Sequence, residues 1–556
     1  MSLTSSITLF LLFICCTYAA TETHVTMSSL RQAMYTSLPI TRNTGFCFRF
    51  ANATHELGCS GSTGGSGRPL IRLNHSEWPE LSGREVVVLV PTAQMGDLLS
   101  NLSAAGDWRG LRVRGVLVLN HTAGSEGRPE SLSDEGKFPS AALAPYDAKS
   151  YAWNPSGSGI RLKRFDFPVF LLDGETSRDA LRRADLNERQ GFSGALHVAD
   201  LDATMDASRP SLDCIGDDTC QPIAGHSVYA AVPPLPTKDT GVLPNAQLQR
   251  RDVVLVTAQM DTDAFFKDLA QGADSPISGL IAMLAAAEAL SAAPTEAFRK
   301  HVVFLALSGE PWDNMGSRKF LWDLSRKEDT VAPLQHLRIT DVVEMGDLGH
   351  LHSGLFLHRQ RDSFYGDASQ LVGAFKEAAG AGISVREASE SNPGIPPSSL
   401  MSFLRYNSSI RGVVLAEYDE AISQPFYHSH LDSVDGSLFG DRPEPLNTSA
   451  LAEVAAVTAR ALHFIAVSSA YGPEVAPLEV DMARMRDLIS QLTGCLLKRD
   501  PGLSCPLVTD LITVTASYNP LPHYLHIIRR LTADPQDPNP GVKRNIERFV
   551  WNFLAN

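Results

Sequence analysis

The stretch His301–Ser317, HVVFLALSGEPWDNMGS, constrains the fold more tightly than any other part of the chain. Its apolar run, Val302–Leu307, is continuous and short, which suits a strand buried on both faces. Strands of that kind belong to parallel sheets covered by helices. A Gly309-Glu310 pair follows at the C-terminal end of the run. Open α/β sheets place their ligands at that end of their strands. The next residue is Pro311, which has no side-chain donor for a metal.

The surrounding pattern agrees. Val253–Ala258 and Gly412–Ala416 read as further buried strands. Pro276–Ala293 reads as a helix, with Ser275 placed as its cap, Pro276 in its first turn and Pro294 at its end. Leu451–Ser468 reads as an apolar helix. Strand–helix alternation of this kind predicts an α/β domain whose mixed, largely parallel sheet is flanked by helices. Upstream, Arg84–Val90, Val113–Leu119 and Phe167–Leu172 predict strands separated by Gly/Ser-rich loops. Four prolines between Val232 and Pro244 (233, 234, 236 and 244) mark a seam between two lobes. The expected organisation is a leader at 1–20, a small lobe at 21–241 and a large lobe at 242–470. A helical extension at 471–556 follows, with an amphipathic stretch at Val480–Leu497.

Length and charge narrow the function classes. The 556 residues suffice for two large cores, and an apolar content of 44% fits a globular chain. The formal charge, 48 − 62 = −14, argues against nucleic acid as a partner. Ile7–Cys16 is an apolar run followed by small residues, which reads as a secretory signal cleaved near Ala19 or Ala20. Six sequons follow, at Asn52, Asn74, Asn101, Asn120, Asn407 and Asn447, and point to a lumenal or extracellular glycoprotein. The six cysteines beyond the leader fall as near pairs, Cys47 and Cys59, Cys214 and Cys220, Cys495 and Cys505. Disulfides between sequence neighbours are the simplest arrangement in an oxidising compartment, although other connectivities are open. Beyond the leader, Ile277–Ala293 comes closest to a membrane span, but Glu288 interrupts it.

The Gly309-Glu310 segment is similar to the strand-to-loop motif of zinc aminopeptidases of the transferrin-receptor-like superfamily, which reads Gly-Glu-Glu. The resemblance implies a base at Glu310 and a missing metal ligand at Pro311. It places Gln259 where that superfamily has a ligand His, and Ser275 where it has a bridging Asp. Glu344 and His428 take the remaining ligand positions. Two ligands do not make a binuclear zinc site, so no metal and no other cofactor is expected.

A longer, ordered set of matches is more specific. It comprises Ala51–Cys59 (ANATHELGC), Phe167–Leu172 (FPVFLL), Phe265-Phe266 with Gly272-Ala273, Leu284–Leu290 (LAAAEAL), Pro396–Leu400 (PPSSL) and Gly412–Ala416. By these the chain resembles the nicastrin family, the large glycoprotein subunits of γ-secretase. The resemblance implies a two-lobed ectodomain with a non-catalytic, peptidase-like large lobe. The family's Asp-Tyr-Ile-Gly-Ser motif reads Asp313-Asn314-Met315-Gly316-Ser317 here, so Glu310, Asp313, Gly316 and Ser317 are the expected substrate-recognition residues. Trp153 is the expected tip of a lid from the small lobe, with Phe266 as its seat. The implied partners are presenilin, the other γ-secretase subunits and stubs of type I membrane proteins. The implied membrane association runs through a helix that this chain lacks. Two other functions fit the same residues less closely: a secreted zinc aminopeptidase, and a soluble receptor-like binding module.

Overall fold

The computed structural model describes residues 45–51, 56–61, 67–73, 81–108, 110–120, 129–147, 151–192, 196–201, 225–235, 252–434, 446–467, 476–497, 505–508 and 545–555. The leader, Cys214, Cys220, Asn52 and Asn74 lie outside the described residues.

Two mixed sheets organise the chain. In the small lobe the order is β1 (Gly45–Phe46), β9 (Val169–Leu171), β7 (Leu111–Leu119), β5 (Glu85–Pro91), β4 (Arg68–Arg72), β10 (Val198–Ala199), with β6 (Asp107–Trp108) paired to β7. A three-stranded sheet of β2 (Arg49–Ala51), β3 (Glu56–Cys59) and β8 (Arg164–Phe165) sits beside it. The Cys47–Cys59 disulfide fastens that corner. Helices α1 (Thr92–Asn101) and α2 (Gly174–Arg189) belong to this lobe, and Asp173 caps α2 by accepting from the Thr176 amide.

The large-lobe sheet runs β11 (Val228–Val232), β13 (Lys300–Leu307), β12 (Asp252–Gln259), β14 (Arg338–Met345), β17 (Arg411–Ala416), β15 (Leu355–Arg359), β16 (Val385–Glu387). The central strands β13, β12, β14 and β17 are parallel, whereas β11 and β15 join antiparallel. Alternation explains why those strands are apolar throughout. In β13, Val302, Phe304 and Ala306 face one core, and Val303, Leu305 and Leu307 face the other. The first core is covered by α3 (Ile277–Ser291), α5 (Ser369–Ala378), α7 (Thr448–Val467) and α8 (Met482–Leu497). The second is covered by α4 (Met315–Arg326) and α6 (Leu400–Tyr406).

Three expectations need correction. Strand β11 lies N-terminal to the proline seam, yet it extends the large sheet through β13, so the large lobe begins before residue 242. The extension after 470 was expected beyond the large lobe, whereas its described residues pack into that lobe. Leu488 and Leu492 of α8, and Phe549 and Val550 of α9 (Asn545–Ala555), enter the large-lobe core, and a Cys495–Cys505 disulfide closes the end of α8. Ser275 does not cap α3, because its backbone N–H donates to Asp432 Oδ2 and no side-chain cap bond forms. Helix α7, with 20 residues and a mean hydropathy of 1.6, is long and apolar enough to cross a membrane. It instead lies mostly buried against α3, α5 and α8 as the central core helix.

Helix α3 approaches β14 so closely that only a glycine fits at the contact. A Cβ on Gly279 would sit 2.4 Å from the Gly346 carbonyl oxygen and 2.6 Å from that of Met345. Backbone atoms cannot swing away, so Gly279→Ala is expected to destabilise the large lobe by about 1–3 kcal/mol. Thermal unfolding of the purified protein checks this; an unchanged melting temperature would show that the helix shifts freely.

Candidate functional site

Because β12, β13, β14 and β17 are parallel, Gln259, Leu307, Met345 and Ala416 end on one edge of the sheet, and the loops that follow meet there. Gly309 turns the chain after β13 with φ +96°, a conformation that side chains other than glycine's rarely adopt. Its N–H donates to the Asp261 carboxylate at 2.9 Å. Asp313 and Asn314 follow in the left-handed region, which delivers Glu310 beneath the start of α4.

Glu310 is buried, with 3% of its surface exposed. Its Oε1 accepts from the Ser317 amide at 2.6 Å, and its Oε2 accepts from Ser399 Oγ at 2.7 Å. The first bond satisfies one of the free N–H groups at the start of α4, a place that favours negative charge. Glu344, at the end of β14, does the same for α6. Its oxygens accept from the Ser399 and Leu400 amides at 2.8 and 2.6 Å. Both oxygens of Glu310 thus accept from groups of the large lobe itself, one donor each. Ser317 is buried on Ser402 Oγ and the Asn314 carbonyl, and Gly316 is packed under the Ser308 carbonyl. Asp313 is exposed and pairs with Arg318.

The residues do not fit a binuclear zinc site. Gln259, Ser275 and Pro311 offer no strong ligand. Glu344 is spent on the α6 amides, and the Nδ1 of His428 lies 2.9 Å from Glu135 Oε2. The His428 ring stacks on Tyr427 at 4.1 Å.

An arm of the small lobe, within residues 129–162, covers this edge of the large sheet. The Leu132 N–H donates to the Pro425 carbonyl, Ser133 Oγ to that of Tyr427, and Tyr146 Oη to that of Ile395. Trp153 is buried at the tip. Its Nε1 donates to Tyr146 Oη, and its ring meets His358 and Tyr418 edge-on or tilted at 5.7 and 6.4 Å. The seat of Trp153 is therefore His358–Tyr418 and not Phe266. Phe266 turns into the small-lobe core, against Phe265 and His430.

Beneath the arm lies a buried ion network that sequence reasoning missed. Arg161 Nη2 binds Glu135, and its Nη1 binds Asp263 Oδ2 at 2.5 Å and the Pro311 carbonyl at 3.1 Å. Lys267 Nζ lies 2.7 Å from Asp263 Oδ1. It sits between the rings of Phe50 of the small lobe and Trp312 of the large lobe, 4.8 and 4.9 Å from their centroids. The only sequence cue was the i, i+4 spacing of Asp263 and Lys267.

Of the described sequons, Asn101 and Asn407 are exposed. Asn447 spends its side-chain amide on the Leu351 carbonyl, and Asn120 is buried.

A two-lobed α/β protein is thereby defined, with the sheet edge of its large lobe covered by its own small lobe. The nicastrin large-lobe model matches residues 252–463, and the nicastrin small-lobe model matches residues 46–207. Nicastrin from Arabidopsis thaliana is 33% identical over 95% of this chain and 75% of its own length. The human nicastrin is 27% identical over 90% of this chain and 74% of its own. The crystal structure of the γ-secretase component nicastrin superposes with a TM-score of 0.66 at 20% identity, covering 88% of this chain and 82% of that one. The chain belongs to the nicastrin family.

Burial shifts several acids at the site. Desolvation pushes Glu344 up to about 7 against the pull of its two amide donors. It also pushes Asp134 up to about 7, opposed by the Phe265 amide and Lys267. Asp261, Asp347 and Glu417 rise well above the carboxylate range, chiefly by burial and then by neighbouring carboxylates. Burial opposes ionisation of Glu135 as well, but Arg161 and His428 outweigh it and hold that carboxyl well below its usual value. In the unfolded chain such groups titrate near about 4. Between that value and their raised folded values, the folded protein holds protons that the unfolded chain has released. Stability is therefore expected to rise as the pH falls from about 8 to about 6.5, below which buried His358, pushed down to about 4, begins to oppose the gain. At still lower pH the Glu135 contribution is lost, since the unfolded carboxyl takes up its proton first. Melting temperatures across this range check the sign; a flat or falling profile from about pH 8 to about 6.5 would show these acids to be ionised in the fold.

Proposed function

We propose that this chain is the non-catalytic, glycosylated ectodomain subunit of a γ-secretase, and that it admits membrane-protein substrates by size. The observation that carries this reading is the closed sheet edge: the positions that would gather metal are either chemically unsuited or committed to helix starts and the small-lobe arm. Family membership supplies the γ-secretase context. Presenilin and its companion subunits are the proposed partners, and short lumenal stubs of type I membrane proteins are the proposed substrates. Asn101 and Asn407 are proposed to carry glycans in a secretory compartment.

A size filter needs bulk above the membrane and no free carboxylate. Glu310 is accordingly a fastening group for α4 and the Ser399 loop. In membranes where the full-length protein replaces the endogenous subunit, presenilin is expected to co-purify with it. Processing of a stub substrate is expected to stop when a folded domain is fused to the stub's lumenal end. Glu310→Gln, which keeps one acceptor, is expected to leave processing per assembled complex unchanged. Glu310→Ala removes both acceptors and is expected to cost about 1–3 kcal/mol of stability. Loss of processing by a fully assembled Glu310→Gln complex would restore a recognition role to that residue. Stoichiometric zinc in the purified protein, together with hydrolysis of an amino-acid amide, would overturn the non-catalytic reading.

A further inference from the structure

The mismatch between the ligand positions and any metal has a positive counterpart, which is a cation supplied by the chain itself. We propose that the edge of the large-lobe sheet is a guanidinium site, that Arg161 of the small lobe is its resident ligand, and that this contact is the lock holding the two lobes closed.

The geometry is that of a built receptor. Arg161 is 5% exposed, and its two terminal nitrogens reach Glu135, Asp263 Oδ2 and the Pro311 carbonyl. Two of these acceptors, Asp263 and Pro311, come from the large lobe, on the loops after β12 and β13. The third, Glu135, belongs to the arm and is itself tied to the large lobe through His428 Nδ1. The Arg161 N–H donates to the Asp134 carbonyl, and Asp134 Oδ2 accepts from the Phe265 amide, so the same crossing is made again through backbone.

Charge is balanced within the network. Arg161 and Lys267 face Glu135 and Asp263, and all four side chains are under a tenth exposed. A balanced buried set is tolerated, whereas one missing member leaves an uncompensated charge that draws water in. Opening of the arm is thus coupled to loss of the Arg161 contacts. The lock does not depend on whether the chain screens substrates, so its test stands apart from that of the proposed function.

Hydrogen exchange of the whole secreted ectodomain reads the lock directly. In Arg161→Ala, amides in 129–162 are expected to exchange roughly a hundredfold faster, while those of β12 and β13 keep their protection. Methylguanidinium chloride at tens of millimolar, an order-of-magnitude choice below denaturing strength, is expected to restore the arm's protection. Sodium chloride at the same concentration is not expected to do so. Should Arg161→Ala fail to fold, the charge-balanced pair Arg161→Met with Glu135→Gln leaves Asp263–Lys267 intact and is expected to show the same selective loosening. Native protection of the arm in either variant overturns the proposal. So do protection lost equally from both lobes and restoration by sodium chloride.

Discussion

The contact on which this architecture depends is the one between Arg161 and the loops that follow β12 and β13. Parallel strands end with their polar backbone groups facing one edge, and something must satisfy the loops that emerge there. In this chain the small lobe does so. Arg161 takes the Pro311 carbonyl and Asp263, and the arm takes the carbonyls of Pro425, Tyr427 and Ile395. The small-lobe core also takes in residues of the large lobe. Phe265, Phe266, Phe426 and Leu431 come late in the sequence yet pack among small-lobe residues such as Phe165 and Val113.

The same edge is dense in carboxylates, and their use is consistent. Asp261 holds the Gly309 amide, Asp432 holds the amides of Asp274 and Ser275, Glu310 holds that of Ser317, and Glu344 holds those of Ser399 and Leu400. Each acid fixes a loop or a helix start. Such groups stabilise by accepting from backbone donors that water no longer reaches. The raised pKa values of Asp261, Glu310 and Glu344 follow from the same burial, so they need not signal chemistry.

The strands were legible because burial on both faces writes itself as unbroken apolar runs; β5, β7, β12, β13 and β17 all fall within a few residues of the expected spans. Residues 338–345 were harder to read. Arg338, Thr340, Asp341 and Glu344 interrupt the apolar pattern, and the strand β14 survives because Asp341 pairs with Lys300 and Arg411. Strand β11 was hidden by the prolines just after it. The site was legible only in part. The family resemblance singled out Glu310, Glu344 and His428, but it could not show that each already has partners within the fold. That knowledge needs the partners, and Ser399, Glu135 and Arg161 lie far away in sequence. Trp153 was likewise expected as a lid tip but on the wrong seat, Phe266, since His358 and Tyr418 carry no pattern that marks a receptor.

These features bear on how such a site tolerates change. A catalytic centre ties each ligand to a metal, and a substitution at any of them is costly. Here the equivalent positions answer only to local fastening. Met315 at the start of α4 needs only to continue a helix, and Pro311 contributes a carbonyl that any residue could supply. What closes the sheet edge is the set of contacts between the two lobes. The closure is held by Arg161, Asp263 and the arm, none of which the zinc resemblance singled out.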